Sequence, residues 1–104
     1  MENDNAPGPL EATRRRELTA RGNRLRAGLV VGRNGVNDAV VAQVRRMLAG
    51  RDLIKVRVDV DRGEEAGAVA ETLARDVPCH FVKRVGKVVL LWRGDQAIGK
   101  SGSG

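Results

Sequence analysis

The fold is decided by one stretch, Leu29-Val30-Val31-Gly32-Arg33-Asn34-Gly35-Val36-Asn37-Asp38, in which a short apolar strand meets a helix start through a Gly-x-x-Gly turn. Glycine at both ends of a turn lets a phosphate backbone approach the main chain closely. The helix start beside it offers unpaired amide hydrogens and the positive end of a helix dipole. Taken alone, the turn also fits a plain connection that needs positive backbone dihedral angles.

The elements on either side of this stretch follow from hydrophobic periodicity. In the second strand, Ile54, Val56 and Val58 alternate with Lys55 and Arg57, which is typical of a half-buried strand. We expect helices at Leu10–Arg21, Asp38–Leu48 and Glu64–Asp76, and strands at Gly28–Val31, Leu53–Val60, His80–Val85 and Lys87–Trp92. Asn37 is the expected N-cap of the second helix.

The order α-β-α-β-α-β-β predicts an α/β sandwich with a four-stranded mixed sheet. Right-handed strand–helix–strand crossovers make their flanking strands parallel, and the final hairpin adds an antiparallel pair. With helices expected on one face only, the row of Lys55 and Arg57 should stay open. Residues 1–9 are predicted to be a disordered leader, 10–93 the domain and 94–104 a flexible tail.

Charge points to a phosphate-rich partner. The net charge is +6, and because residues 1–13 contain three acids and no Lys or Arg, the remainder carries +9. A small domain this basic is expected to bind phosphates, especially because arginine predominates over lysine. With only two aromatic residues, Phe81 and Trp92, the chain lacks the stacking surface of many single-strand binders.

Other classes of function find little support in the sequence. No apolar run reaches membrane-spanning length, and the start lacks the plan of a signal peptide, so we expect a cytoplasmic protein. A single cysteine, Cys79, and a single histidine, His80, complete neither a catalytic triad nor a metal shell. We therefore predict a protein that is not an enzyme and has no cofactor or metal.

Three motifs in order resemble one known family, the CRM domain (chloroplast RNA splicing and ribosome maturation). They are the stretch from Leu25 to Val36 around the glycine turn, Asp52-Leu53-Ile54-Lys55-Val56-Arg57-Val58, and Val85-Gly86-Lys87-Val88-Val89-Leu90-Leu91-Trp92-Arg93. The single-domain length is similar to the bacterial YhbY-like members, which are associated with precursors of the large ribosomal subunit. The resemblance implies a fold like the C-terminal domain of translation initiation factor 3. Ala27 stands where the family usually has proline, and a histidine common near Asn23 is missing.

The resemblance and the charge pattern together indicate which residues of the turn are candidates for binding. Arg33 is expected to meet a phosphate oxygen, and Asn34 a phosphate or a 2′-hydroxyl, with Gly32 and Gly35 allowing close approach. Asp38, in the first turn of the next helix, opposes this slightly because its carboxylate offsets the positive potential.

Further candidates are basic residues outside the turn. On the polar face of the second strand, Lys55 and Arg57 are candidates, although a solvated strand face explains Arg57 equally well. A dense basic block and the last turn add Arg14, Arg15, Arg16, Arg21, Arg24, Arg26 and Lys87. Arg45 and Arg46 are interpreted as ordinary surface residues of the second helix.

These observations predict a monomeric RNA-binding protein that recognises structured ribosomal RNA and assists assembly of the large subunit. Two alternatives stay open at this point. One is a regulator of single-stranded RNA that uses the turn as KH domains do, and the other is an adaptor whose basic surface docks on an acidic protein.

Overall fold

The computed structural model describes residues 10–94, and the predicted leader and all but the first residue of the predicted tail lie outside them. The predicted order of elements is confirmed. The three helices are α1 (Ala12–Gly22), α2 (Asp38–Gly50) and α3 (Gly63–Asp76), and the four strands are β1 (Leu29–Val31), β2 (Leu53–Val58), β3 (His80–Val85) and β4 (Val88–Trp92). Within the described range, none of these helices has the length and apolarity needed to span a membrane.

The four strands form one mixed sheet in the order β1-β2-β4-β3. β1 and β2 are parallel, with Val31 opposite Val58, as the crossover through α2 requires. β4 is antiparallel to both of its neighbours, so it separates β2 and β3, which run in the same direction. The carboxyl ends of β1 and β2 therefore lie at the same end of the sheet as the β3–β4 hairpin turn.

α2 and α3 cover one face of the sheet, here called the first face. Its core contains Ile54, Val56 and Val58 from β2, all at most 3% exposed, because these alternate residues point the same way. The helices bring the apolar stripes that their helical spacing predicted. From α2 come Val44 and Leu48, and from α3 come Ala66, Ala70 and Leu73.

α1 covers part of the opposite, second face, and this corrects the expectation that helices lie on one face only. Leu18 of α1 packs in a separate cluster with Leu53, Val82, Leu90 and Trp92. These sheet residues alternate away from the first face, and only a helix on the second face shields them from water. At the end of α1, a Cβ on Gly22 would lie 2.5 Å from Leu90 Cδ1, so glycine permits this close packing.

β2 ends earlier than the alternation predicts. The Asp59 amide still donates to the Val31 carbonyl at 2.8 Å, but the Val60 amide turns back to the Val58 carbonyl at 3.1 Å. The chain therefore leaves the sheet at Asp59 and enters the loop before α3. In β3, the register shifts at a bulge between Phe81 and Lys83, and Val82 packs in the cluster on the second face.

Candidate nucleic-acid interface

The Gly32–Gly35 turn projects from the carboxyl end of β1. The Gly35 amide donates to the Gly32 carbonyl at 3.0 Å, which closes a β-turn with Arg33 and Asn34 exposed at its two central positions. Gly35 has a φ of 79°, a left-handed conformation that favours glycine. Gly32 has no positive φ, and a Cβ there would meet no heavy atom within 4 Å. Backbone geometry thus accounts for Gly35 but not for Gly32, whose open main chain is accessible to a ligand.

The start of α2 beside the turn is already capped. Asn37 is confirmed as the N-cap, and its Oδ1 accepts a hydrogen bond from the Val40 amide at 2.9 Å. Asp38 adds a carboxylate in the first helical turn, which lowers the positive potential there. One of the amide donors that the sequence offered to an anion is therefore used internally, and the turn itself is the more open part of the site.

Arg33 is ion-paired in the free protein. Its Nη1 lies 2.8 Å from Asp61 Oδ1, and its Nε lies 3.5 Å from Asp59 Oδ1. The hydrogen bond to Asp61, assisted by the charges of Asp61 and Asp59, raises the pKa of Arg33 above its usual value. All three side chains are more than half exposed, so a phosphate can reach the guanidinium and compete with the carboxylates.

Asp59 and Asp61 were not singled out as partners of Arg33 from the sequence. Their position carries a usable signal, because they directly follow a strand parallel to the one that precedes the turn. The carboxyl ends of neighbouring parallel strands meet at one sheet edge. Pairing β1 with β2 would therefore have placed both carboxylates beside the Gly-x-x-Gly turn.

Lys55 and Arg57 both point to the second face, but their environments differ. Lys55 is half-buried, and its Nζ donates to the Leu25 carbonyl at 2.9 Å, which ties the α1–β1 connection to β2. Arg57 is exposed between Val30 and Val88, its neighbours in the sheet register. α1 stops short of this row, so Arg57 remains on an open part of the second face.

The basic block divides into arginines that contact the sheet or the residue before β2 and arginines that make no such contact with the described residues. Arg14 stacks its guanidinium 5.1 Å from the centre of the Trp92 ring, and Arg15 donates to the Val82 carbonyl. Arg21 forms two hydrogen bonds with Asp52, at 3.0 and 2.7 Å. These three residues fasten α1 to the sheet. The remaining three, Arg16, Arg24 and Arg26, are exposed and make no ion pair or side-chain hydrogen bond within residues 10–94.

The predicted residues are spread along the length of the sheet. Lys87 lies in the hairpin turn at the same end of the sheet as Gly32–Gly35, because its carbonyl accepts the Val58 amide at 2.8 Å. Arg21 pairs with Asp52 just before β2, at the opposite end. β2 has six residues, so about 20 Å separates the two ends. The basic surface therefore extends along the sheet.

Cys79 and His80, the two residues weighed in the sequence as catalytic candidates, have the following surroundings in the structure. Burial raises the pKa of the Cys79 thiol to about 12, so it is protonated at neutral pH and is a poor nucleophile. The His80 ring lies 5.1 Å from the Trp92 ring, beside the α1 cluster. Across residues 10–94, no group of three or more His, Cys, Asp or Glu side chains is placed to hold a metal ion.

The fold and the turn together define a class of protein: a small α/β domain that presents a Gly-x-x-Gly turn at a strand–helix junction on a basic surface. The CRS1/YhbY (CRM) domain model matches residues 10–93. The chain belongs to this family. The motifs noted in the sequence thus lead to the same assignment as the match over nearly the whole described range.

Named relatives and a solved structure agree with this membership. The chain is 31% identical over 84 residues to "Probable RNA-binding protein YqeI" of Bacillus subtilis, covering 81% of this chain and 88% of that protein. It is 26% identical over 84 residues to "Probable RNA-binding protein PA4753" of Pseudomonas aeruginosa, covering 81% of each. The solution structure of the hypothetical protein SAV1595 from Staphylococcus aureus shares the fold, with a TM-score of 0.76 at 24% identity, over 85% of this chain and 92% of that one.

Proposed function

We propose that this protein binds structured ribosomal RNA through the Gly32–Gly35 turn and assists assembly of the large ribosomal subunit. The observation that carries the proposal is the open main chain at Gly32, with Arg33 and Asn34 exposed beside it. Membership of the CRM family and relatives named as RNA-binding proteins support RNA as the ligand. The net charge of +6 supports a polyanionic partner.

In the proposed mechanism, the turn grips the RNA backbone while the surrounding cations hold the duplex in place. A phosphate approaches the Gly32 main chain. The Arg33 guanidinium then breaks its ion pair with the Asp61 carboxylate and donates to a phosphate oxygen instead. Asn34 donates to a neighbouring phosphate or 2′-hydroxyl. Arg57 and Lys87 extend the positive field from the turn across the adjacent strands. The proposal includes a cytoplasmic monomer. The contacts described require neither a second subunit nor a cofactor or metal.

The first prediction tests the turn directly. Replacing Arg33→Asp and Asn34→Asp should lower the affinity for a structured ribosomal RNA fragment by at least about tenfold, because two backbone contacts become repulsive. Fluorescence anisotropy at fixed salt measures the affinity, and thermal unfolding checks that the fold persists.

A charge-matched control is available on α3. Arg75→Asp with Ala68→Asp changes the net charge equally at exposed positions of that helix. If the turn variant and this control bind RNA alike, the turn is not the RNA-binding element.

The ribosomal part of the proposal has its own test. The protein should co-sediment with precursors of the large subunit in a gradient and be released by mild RNase. Retention after RNase would instead indicate a protein-docking adaptor. Stronger binding to an unstructured oligonucleotide than to the ribosomal fragment would indicate a regulator of single-stranded RNA.

A further inference from the structure

A second basic site lies at the far end of α2 from the Gly-x-x-Gly turn. There, an open cleft of about 420 Å³ separates the end of α2 from the starts of β1 and β2. Four basic residues are among those that line it, each from a different segment: Arg26 precedes β1, Arg46 lies in α2, Arg51 follows α2 and Lys55 lies in β2. The Lys55 Nζ is held by the Leu25 carbonyl at 2.9 Å, so the three arginines are the cations without such a contact among the described residues. No carboxylate is among its lining residues.

The structure leaves these like charges without an internal partner of opposite sign. The nearby carboxylate of Asp52 is held by two hydrogen bonds from Arg21. Within residues 10–94, no ion pair or side-chain hydrogen bond is made by Arg26, Arg46 or Arg51. Bringing cations together in this way is unfavourable unless an anion neutralises them.

The helix dipole does not account for the cluster. Basic residues often complement the negative carboxyl end of a helix. In α2, Arg93 already takes that role, because its Nη1 donates to the Leu48 carbonyl at 2.8 Å and to the Ala49 carbonyl at 3.4 Å. Arg45, next to Arg46, donates to the Asp76 carbonyl of α3 instead and does not line the cleft.

We propose that this cleft is a second phosphate-binding site, which holds the backbone of the same RNA that the turn grips. The proposal rests on the proposed function for the identity of the ligand. α2 runs from the turn to the cleft, and its 13 residues make it about 20 Å long. At about 3.4 Å of axial rise per phosphate, the value for one strand of B-form DNA, this is about six phosphates, and an A-form RNA strand, which rises less per phosphate, would need slightly more.

The test compares a variant that loses two charges in the cleft with a control that loses two charges outside it. The variant Arg46→Gln with Arg51→Gln removes two cleft charges, and the control Arg45→Gln with Arg75→Gln removes two charges outside the cleft. With a ribosomal RNA hairpin longer than the span, the cleft variant should bind about tenfold more weakly, and its plot of log K against log salt should be shallower by about 2. The control should retain most of the wild-type affinity. Thermal unfolding of both variants checks the fold.

RNA length provides a second readout. With an oligonucleotide too short to reach from the turn to the cleft, the cleft variant and the control should bind equally. Equal loss in both variants with the long hairpin would overturn the proposal. So would saturable binding of inorganic phosphate at the cleft, seen as NMR shifts at Arg46 and Arg51, together with unchanged RNA affinity.

The failures of the two sites can be told apart. If the cleft variant keeps the wild-type RNA affinity while the Arg33→Asp, Asn34→Asp variant loses it, the cleft is not an RNA-binding site and the turn is the binding element. If the cleft variant loses RNA affinity while the turn variant keeps it, the turn is not an RNA-binding element and the cleft binds RNA independently of it.

Discussion

Gly32 and Gly35 lie at the two ends of the same turn, but only Gly35 has a backbone conformation that is unfavourable for other residues. Its φ of 79° lies in the left-handed region, where a Cβ costs about 1–2 kcal/mol. Gly32 has neither a positive φ nor a close neighbour. Folding therefore accounts for glycine at position 35, whereas only the proposed RNA binding would require glycine at position 32.

Alanine at each position should separate these demands. Gly35→Ala should lower the free energy of unfolding by about 1–2 kcal/mol. Gly32→Ala should change it by less than about 0.5 kcal/mol but weaken RNA binding, because the methyl group holds the phosphate away from the main chain. Urea unfolding and RNA titration of both variants provide the two measurements. Full RNA affinity in Gly32→Ala would show that nothing approaches the turn at this point.

Single-residue features were predictable only where they are local in sequence. Asn37 was identifiable as a cap because its partner, Val40, lies three residues away. The pairing of Arg33 with Asp61 joins two loops that are brought together only by the alignment of β1 with β2. Likewise, Arg46 and Arg45 look equivalent in the sequence, and only the packing of α2 separates the cleft residue from its neighbour.

At the scale of elements, α1 is the helix whose placement the sequence predicted least well. Leu18 and Gly22 are its two buried residues, so its apolar stripe is too narrow to indicate which surface it covers. The alternation in β2 correctly predicted the first face but left Leu53 without an assigned role. Leu53 and Trp92 occur in strands whose opposite sides are buried on the first face. Only the assembled sheet shows that these two residues share the second face and must be buried there by α1.

The hydrogen bonds from Arg21 in α1 to Asp52, which precedes β2, should make stability depend on pH in acid. The hydrogen bonds from Arg21, with a smaller contribution from Trp92, hold the pKa of Asp52 below its ordinary value of 3.8. A depressed carboxyl pKa stabilises the fold above the unfolded-state pKa, and that stabilisation is lost as pH falls through the folded-state value. Asp52→Asn should therefore cost about 0.5–1 kcal/mol near neutral pH, a small value because the pair is partly exposed.

Urea unfolding across a pH series measures this effect. The difference in unfolding free energy between the wild type and Asp52→Asn should shrink as the carboxyl group is protonated. Glu71→Gln, on the exposed side of α3, serves as the control. A difference that persists unchanged in strong acid would show that the Arg21 pair is not its source.

At the scale of the whole molecule, positive charge is distributed along the sheet rather than gathered at one point. The turn and Lys87 lie at one end, and the cleft and the exposed arginines before β1 lie at the other. In the proposed function, a charged surface this long would lie along the backbone of an RNA helix. Composition predicted the sign and size of this field, but its division between two ends depends on the topology of the sheet.

This arrangement should give RNA binding a steep dependence on salt. Each neutralised phosphate contributes about 0.7–0.9 to the slope of log K against log salt, so about five contacts across both ends give a slope near −4. Titrations of the wild-type protein at several salt concentrations measure it. A slope close to −1 would indicate a single charged contact and would contradict an interface that extends over both ends.

If the turn binds RNA as proposed, the pairing of Arg33 with two carboxylates should limit which anions can bind there. Asp59 and Asp61 belong to the same chain as Arg33, so they compete for its guanidinium at a high local concentration. A monovalent anion such as chloride offers the arginine no better partner than these, whereas a phosphate offers several acceptor oxygens in the geometry that guanidinium prefers. We therefore expect Arg33 to select among anions: only an anion that binds it more strongly than the two carboxylates do should displace them.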